Sequence, residues 1–179
     1  DYNEYTGDIV IPRIVNFNGV TYSVKSVSDD AFNGCWDLTS IEIPNSVIKI
    51  GNSAFSGCTS LTSIIMGNSV TEIGDYAFRG CNSLSTIETA NSLTNIGYGA
   101  FSGCENLTNI VIGSGVKLIE DYAFSGCVNL NKITCMSSNP PIIQSYYTFS
   151  NYSADLYVPN ECESTYESAE YWELFYNII

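Results

Sequence analysis

One feature constrains this chain more than any other: it repeats itself at a fixed step. Phe32, Phe55, Phe78, Phe101 and Phe124 share that step, and so do Cys35, Cys58, Cys81, Cys104 and Cys127. Leu38, Leu61, Leu84, Leu107 and Leu130 keep it, as do Ile41, Ile64, Ile87, Ile110 and Ile133. A fixed period of this length marks a stack of identical structural units, because one short unit cannot bury its own apolar face. Within the unit, Leu38-x-x-Ile41-x-Ile43 ends in the alternation of a strand with one buried side. Val47 and Ile50 follow a turn and form a short extended piece on the opposite wall. Ala54-Phe55 turns the corner and fills the interior. Stacked copies place the strands about 4.8 Å apart in a parallel sheet.

Partial copies flank the five. Ile9-Val10-Ile11-Pro12 matches Ile41-Glu42-Ile43-Pro44, and Leu156-Tyr157-Val158-Pro159 matches it again. Counting both gives seven strand positions, in a right-handed solenoid of about six coils. The stretch from Ile11 to Val27 is longer than its counterpart from Ile43 to Ile50. The additional segment, residues 16–22, carries an Asn-Gly pair and predicts a β-hairpin. Asn139-Pro140-Pro141 marks an irregularity before the last coil. Tyr166, Ala169, Trp172 and Phe175 predict an amphipathic helix over residues 161–176, capped by Asn160 with Glu163 in a capping box, that lids the last coil. The chain therefore reads as one domain: an N-terminal strand and hairpin cap at 1–27, stacked repeats at 28–159 and a C-terminal capping helix at 160–179.

The run from Val70-Thr71-Glu72-Ile73-Gly74 to Ala77-Phe78-Arg79-Gly80-Cys81, preceded by Leu61-x-x-Ile64, resembles the BspA-like class of bacterial leucine-rich repeats. The resemblance covers essentially the whole chain, with ends similar to that family's caps. It implies an exported or surface-attached protein that adheres to proteins or cells. Departures occur at the strand position held by Ile43, which becomes Met66, Thr89, Ile112 and Cys135.

Chemistry-bearing residues point away from catalysis. Histidine is absent, which removes the commonest general base and zinc ligand. Five of the seven cysteines share one register without a CxxC pair; they read as small buried thiols, reduced, with no metal site. Cys135 falls on a strand register and is expected to be buried, and Cys162 lies near the surface. Asp29, Asp30, Asp75, Glu120 and Asp121 gather in one turn, but Asn52 and Tyr98 interrupt the series, so it reads as a solvated acidic edge rather than a calcium site. No cofactor is expected. Nineteen acidic residues against six basic ones give a net charge of −13. Such a surface repels nucleic acid and anionic membrane and favours a basic protein partner. No stretch is long and apolar enough to span a membrane. The chain is expected to be a monomer, secreted or at the cell surface, and its abrupt start at Asp1 reads as a processed or trimmed end.

Two surfaces are candidates for binding. The outward strand positions are Ser40 and Glu42, Ser63 and Ile65, Thr86 and Glu88, Asn109 and Val111, and Lys132 and Thr134. They vary while the core registers barely change, which a recognition surface permits. The competing surface is the turn edge at Tyr76, Tyr98 and Tyr122, whose amphipathic rings suit protein contacts. The alternative to a binding module is a structural spacer within a larger surface protein.

Overall fold

The computed structural model describes residues 5–179. Its first strand, β1 (Gly7–Val10), leads into a hairpin, β2 (Ile14–Phe17) and β3 (Val20–Ser23), and then β4 (Ser26–Val27). Long and short strands alternate from there: β5 (Leu38–Ile43), β6 (Lys49–Ile50), β7 (Ser63–Met66), β8 (Glu72–Ile73), β9 (Thr86–Glu88), β10 (Asn95–Ile96), β11 (Asn109–Ile112), β12 (Leu118–Ile119), β13 (Lys132–Cys135) and β14 (Ile142–Ile143). The chain closes with β15 (Asp155–Tyr157), the helix α1 (Glu163–Glu167) and β16 (Asn177–Ile178). Two parallel walls result. One carries the seven long strands with β16 beside the last of them, and the other is the unbroken row β4-β6-β8-β10-β12-β14. Seven strand rows stack, as the sequence count of strand positions predicts, one more than the estimate of about six coils.

The interior between the walls is a set of side-chain columns. Phe32, Phe55, Phe78, Phe101, Phe124 and Phe149 stack with centroids 5.0, 5.1, 5.2, 5.3 and 5.1 Å apart and ring planes within 8°. The rings follow the coils one for one. The cysteine register lies beside this column for a reason beyond size. Each thiol donates to a phenylalanine carbonyl of the preceding coil: Cys58 to Phe32, Cys81 to Phe55, Cys104 to Phe78 and Cys127 to Phe101, at 3.1 to 3.3 Å. All seven cysteines are unpaired; Cys135 is buried and Cys162 half-buried. Burial pushes the Cys58 thiol up to about 12 and that of Cys81 higher still.

The hairpin forms with Asn18 and Gly19 both at positive φ, the turn that an Asn-Gly pair favours. Its cross-strand register pairs Val15 with Tyr22 and Phe17 with Val20, so these four share one face. All eight of its strand residues are exposed. It stands off the core rather than covering it.

The C-terminal segment differs from the expected single helix. The α-helix spans only Glu163–Glu167, and Cys162 occupies its cap position without a side-chain bond, so neither Asn160 nor a capping box starts it. Tyr171, at φ 65°, interrupts the chain before a 3₁₀ turn at Trp172–Leu174. The left-handed backbone at Tyr171 ends the helical path, and Tyr166 and Trp172 reach the last coil from two separate turns. Tyr166, Trp172 and Phe175 are nonetheless buried. The Tyr166 hydroxyl donates to the Ser137 carbonyl at 2.7 Å, and the Trp172 indole N–H donates to the Pro141 carbonyl at 2.7 Å. The irregular 137–141 segment, which breaks the repeat, thus supplies the carbonyls on which the lid is fastened.

The turn acids are not a purely solvated edge either. Asp29 Oδ1 accepts the Asn52 N–H, Asn52 Oδ1 accepts that of Asp75, and Asp75 Oδ1 accepts that of Tyr98. Tyr98 offers no such acceptor, and the Asp121 N–H turns to the Gln144 side chain of the following coil. These side chains link coil to coil. Among the described residues no three His, Cys, Asp or Glu side chains are arranged to hold a metal ion.

Candidate functional site

The strand face is built from two outward columns, fixed by the ladder register. In the first, Asp8, Ser40 and Ser63 are paired in turn, and Thr86, Asn109, Lys132 and Asp155 continue it. In the second, Val10, Glu42 and Ile65 are paired, and Glu88, Val111, Thr134 and Tyr157 continue it. The ten strand residues picked out by the sequence therefore do lie on one surface. Missing from that selection are Asp155 and Tyr157 of β15, and Asp8 and Val10, the outward residues of β1. The match of Ile9-Val10-Ile11 to the repeat carries the signal for the β1 pair.

The two columns differ in character. The first is short and hydroxylic. Thr39 and Ser40 donate to Asp8 Oδ1 at 2.9 and 2.6 Å, and these bonds, that of Ser40 foremost, hold the Asp8 carboxyl below the usual range. The second alternates apolar and acidic side chains, with Val10 65% and Ile65 59% exposed. Val111 is half-buried. Lys132 closes the far end by folding over the Tyr157 ring, its ammonium 4.5 Å from the centroid.

The face also contains a seam. Among the described residues no ladder joins β7 to β9, so the strand wall divides into β1-β5-β7 and β9-β11-β13-β15-β16. The opposite wall and the phenylalanine column run past it without a break. Three observations mark the opening. Ile64 is only half-buried where Ile41, Ile87, Ile110 and Ile133 are buried. Asn45 Oδ1 accepts the Asn68 N–H and Asn91 Oδ1 accepts the Ser114 N–H, but no such bond joins Asn68 to Asn91. The Thr89 N–H is given to the Val111 carbonyl. Because residues of a parallel strand bond alternately to either side, the peptide groups of Glu88 then face the seam. A cleft of about 280 Å³ lies here, lined by Ile64, Ile65, Met66, Glu88 and Thr89 among others. It adjoins a larger groove of about 570 Å³ that runs past Ile65 and Glu42 to Val10, Pro12 and Arg13. Arg13 and Met66 belong to the site although nothing in the repeat singles them out.

The tyrosine edge is a continuous row of ring contacts. Tyr76, Tyr98, Tyr122 and Tyr147 follow at 5.2, 5.4 and 5.4 Å. Tyr76 and Tyr122 occupy the turn position with φ of 56° and 60°, which costs a side-chain-bearing residue about 1–2 kcal/mol. In the coil between them that position is Gly99, and the tyrosine sits one residue earlier. A Cβ on Gly99 would lie 2.8 Å from the Tyr76 ring, so the exchange of Asp-Tyr for Tyr-Gly is what keeps the column continuous. The rings meet edge to face at Tyr76–Tyr98, tilted at Tyr98–Tyr122 and face to face only at Tyr122–Tyr147.

The comparisons with known proteins agree with this architecture. A family model, BspA type leucine-rich repeat region, matches six copies across residues 25–155. A leucine-rich cell surface protein of Faecalibacterium prausnitzii is 34% identical over 75% of this chain and 33% of its own, with a TM-score of 0.67. A leucine-rich repeat protein of Eubacterium ventriosum is 30% identical over 70% of this chain and 33% of its own, with a TM-score of 0.59. The Treponema pallidum leucine-rich repeat protein is 25% identical over 96% of this chain and 85% of its own, with a TM-score of 0.56. The chain thus spans about a third of the length of the first two. No curated protein sequence matches it. No helix among the described residues is long and apolar enough to cross a membrane. Seven stacked strand rows, a constant phenylalanine-cysteine interior and six matched copies establish that this chain belongs to the BspA-type leucine-rich repeat family.

Proposed function

We propose that the chain is a non-catalytic protein-binding module displayed outside the cell, and that its strand face is the contact surface. One observation carries this reading. The phenylalanine, cysteine and leucine columns hold constant across the five regular coils while the outward column at Glu42, Ile65, Glu88, Val111 and Thr134 changes at every step on the same register. The groove between Arg13 and Ile65 gives that column depth, which a flat hydrated sheet lacks. Charge favours a basic partner, whose association slows as salt rises. The module acts as a monomer. Display outside the cell is supported by the printed description of the F. prausnitzii relative as a cell surface protein.

The test begins with binding of purified chain to extracellular matrix and cell-surface proteins, identified and then titrated singly. Ile65→Asp is expected to abolish the interaction and Val111→Asp to weaken it, whereas Tyr76→Ala with Tyr122→Ala leaves it intact. The reverse result moves the contact surface to the tyrosine row. A second reading has its own observation: the chain covers only a third of two relatives' length, as a spacer holding other domains would. A spacer predicts that none of these substitutions changes any interaction of the longer protein.

A further inference from the structure

The second outward column has a period that selects its occupant. Successive phenylalanine rings lie 5.0 to 5.3 Å apart between centroids, over parallel strands that stack about 4.8 Å apart. An α-helix lying along the solenoid axis presents a stripe at alternate spacings of three and four residues, on average about 5.25 Å apart. Over the four steps from Val10 to Val111 such a stripe stays within about 2 Å of the strand spacing. An extended strand presents same-side residues about 6.8 Å apart and falls out of step within two coils. A polyproline II helix repeats about every 9.3 Å and meets only every second coil.

Chemistry along the column alternates at the same step: Val10, Glu42, Ile65, Glu88, Val111. Glu42 and Glu88 are exposed, and the one ion pair among the described residues joins Lys49 to Glu72 elsewhere. We propose that the strand face receives one amphipathic α-helix parallel to the solenoid axis. Its apolar residues, seven apart, meet Val10, Ile65 and Val111, and lysine or arginine residues three or four positions later meet Glu42 and Glu88. This rests on the protein-binding reading and adds the partner's secondary structure and residue pattern to it.

The surroundings fit such a cylinder. The neighbouring column is short at Ser40, Ser63 and Thr86, which leaves room for the flank of a helix and offers hydroxyls to its polar side chains. The Lys132–Tyr157 contact limits the track at one end and the Pro12–Arg13 wall of the groove limits it at the other. Between Val10 and Val111 the track is roughly 20 Å long, about fourteen residues of helix. The cleft at the seam falls beside Ile65, at the centre of the track, where an interface concentrates its anchors.

The test uses the full chain and synthetic helix-stabilised peptides of about three heptads. One carries Leu at position a and Lys at position d, a second replaces Lys with Glu, and a third scrambles the first. Calorimetric titration is expected to show the Leu/Lys helix binding at least tenfold more tightly than either control. Glu42→Lys combined with Glu88→Lys is expected to invert the preference toward the Glu peptide, and Ile65→Asp to abolish binding of both. Equal binding of the scrambled peptide, an unchanged preference in the double variant, or no binding of the Leu/Lys helix overturns the proposal. In that last case, a protein ligand that is still lost with Ile65→Asp leaves the strand-face reading standing. A ligand indifferent to Ile65→Asp removes both. Circular dichroism of each variant, all at exposed positions, checks that the coil is unchanged.

Discussion

The two ends of this solenoid carry similar sequence and opposite structure. Both lie beyond the regular repeats and both are rich in aromatic and branched residues. At the N-terminal end Val15, Phe17, Val20 and Tyr22 form the apolar face of a hairpin and all are exposed. At the C-terminal end Trp172 is buried against Phe149, Phe175 against Tyr152 and Tyr166 against Trp172. Apolar content alone therefore does not make a cap. The sealed end differs in having fixed polar partners, the Ser137 and Pro141 carbonyls, that align its rings over the last coil. β16 then pairs with β15 and finishes the sheet edge. A terminal coil left bare would expose both its core and its unpaired strand.

The largest expected effect follows from removing the sealed end. Deleting residues 160–179 strips the lid from Phe149, Tyr152 and Leu156 and frees the β15 edge. The truncated chain is expected to aggregate or to lose cooperative unfolding, as read by sedimentation and thermal melts. A soluble, equally stable product would show that the two ends are equivalent after all. Trp172→Ala is milder: it empties a buried ring site and leaves the Pro141 carbonyl without its donor. The expected loss is about 3–5 kcal/mol in denaturant unfolding. Tyr166→Phe keeps the ring and removes only the bond to Ser137, which costs about 1–3 kcal/mol because the buried carbonyl is left unsatisfied.

The cysteine column sharpens the comparison from inside. Burial raises the thiols of Cys35, Cys58 and Cys81, least at the open end and most toward the middle. An acid whose folded value lies above its unfolded one contributes stability that is full below the unfolded value. That contribution is lost as pH rises toward the folded value. The ordinary thiol value here is 9.0 and Cys58 is pushed up to about 12, so the window runs from about pH 9 to 12. Stability is expected to fall by about 1.4 kcal/mol per pH unit for each such thiol across it. Native thiol labelling at pH 9 should modify half-buried Cys162 and then Cys35 well before Cys81, read by peptide mass mapping. Labelling of Cys81 as fast as Cys35 would mean that the interior opens as a whole rather than from the hairpin end.

Much of this is legible in the residues and some is not. The period, the phenylalanine and cysteine columns, the two walls and the Asn18-Gly19 turn all follow from spacing, because each is a local pattern copied from coil to coil. The seam is not legible. Ile64 and Ile87 keep the same step as every other pair in their register. The parting of β7 from β9 lies at a step where the spacing is unchanged, so spacing does not record it. The lid is half legible: its buried residues stand out, but the left-handed Tyr171 that divides them between an α-helix and a 3₁₀ turn does not. Along the tyrosine edge, Tyr98-Gly99 in place of Asp75-Tyr76 is visible as an exchange. Its meaning, a ring moved back one residue to keep the row, needs the positive φ of the turn. On the binding face, the ten outward positions follow from the strand pattern, whereas Arg13 and the groove beside it depend on where the hairpin leaves the coil.

The smallest effect is expected at the open end, and it decides whether the hairpin has any structural part. Ile14 through Phe17 and Val20 through Ser23 pair only with each other. Their exposed side chains already meet water, so truncating them forfeits little burial. An isolated two-stranded hairpin is marginally stable in water, so its own folding adds little to the whole. Replacing residues 14–23 by a short flexible loop, with Arg13 and Val24 kept, preserves the entry into β4. It shortens the connection between β1 and β4, and halving a loop changes closure entropy by only about 0.6 kcal/mol. The expected change in unfolding free energy is therefore within about 0.5 kcal/mol, the range of ordinary surface changes, against the several expected at Trp172. Amide exchange supplies the internal control. Hairpin amides and the peptide groups at the β7–β9 seam should exchange fast, and those of β11 and β13 slowly. A loss of about 2 kcal/mol or more on removing the hairpin, well outside that surface range, would show that it closes the first coil. The contrast between an exposed hairpin and a buried lid would then collapse.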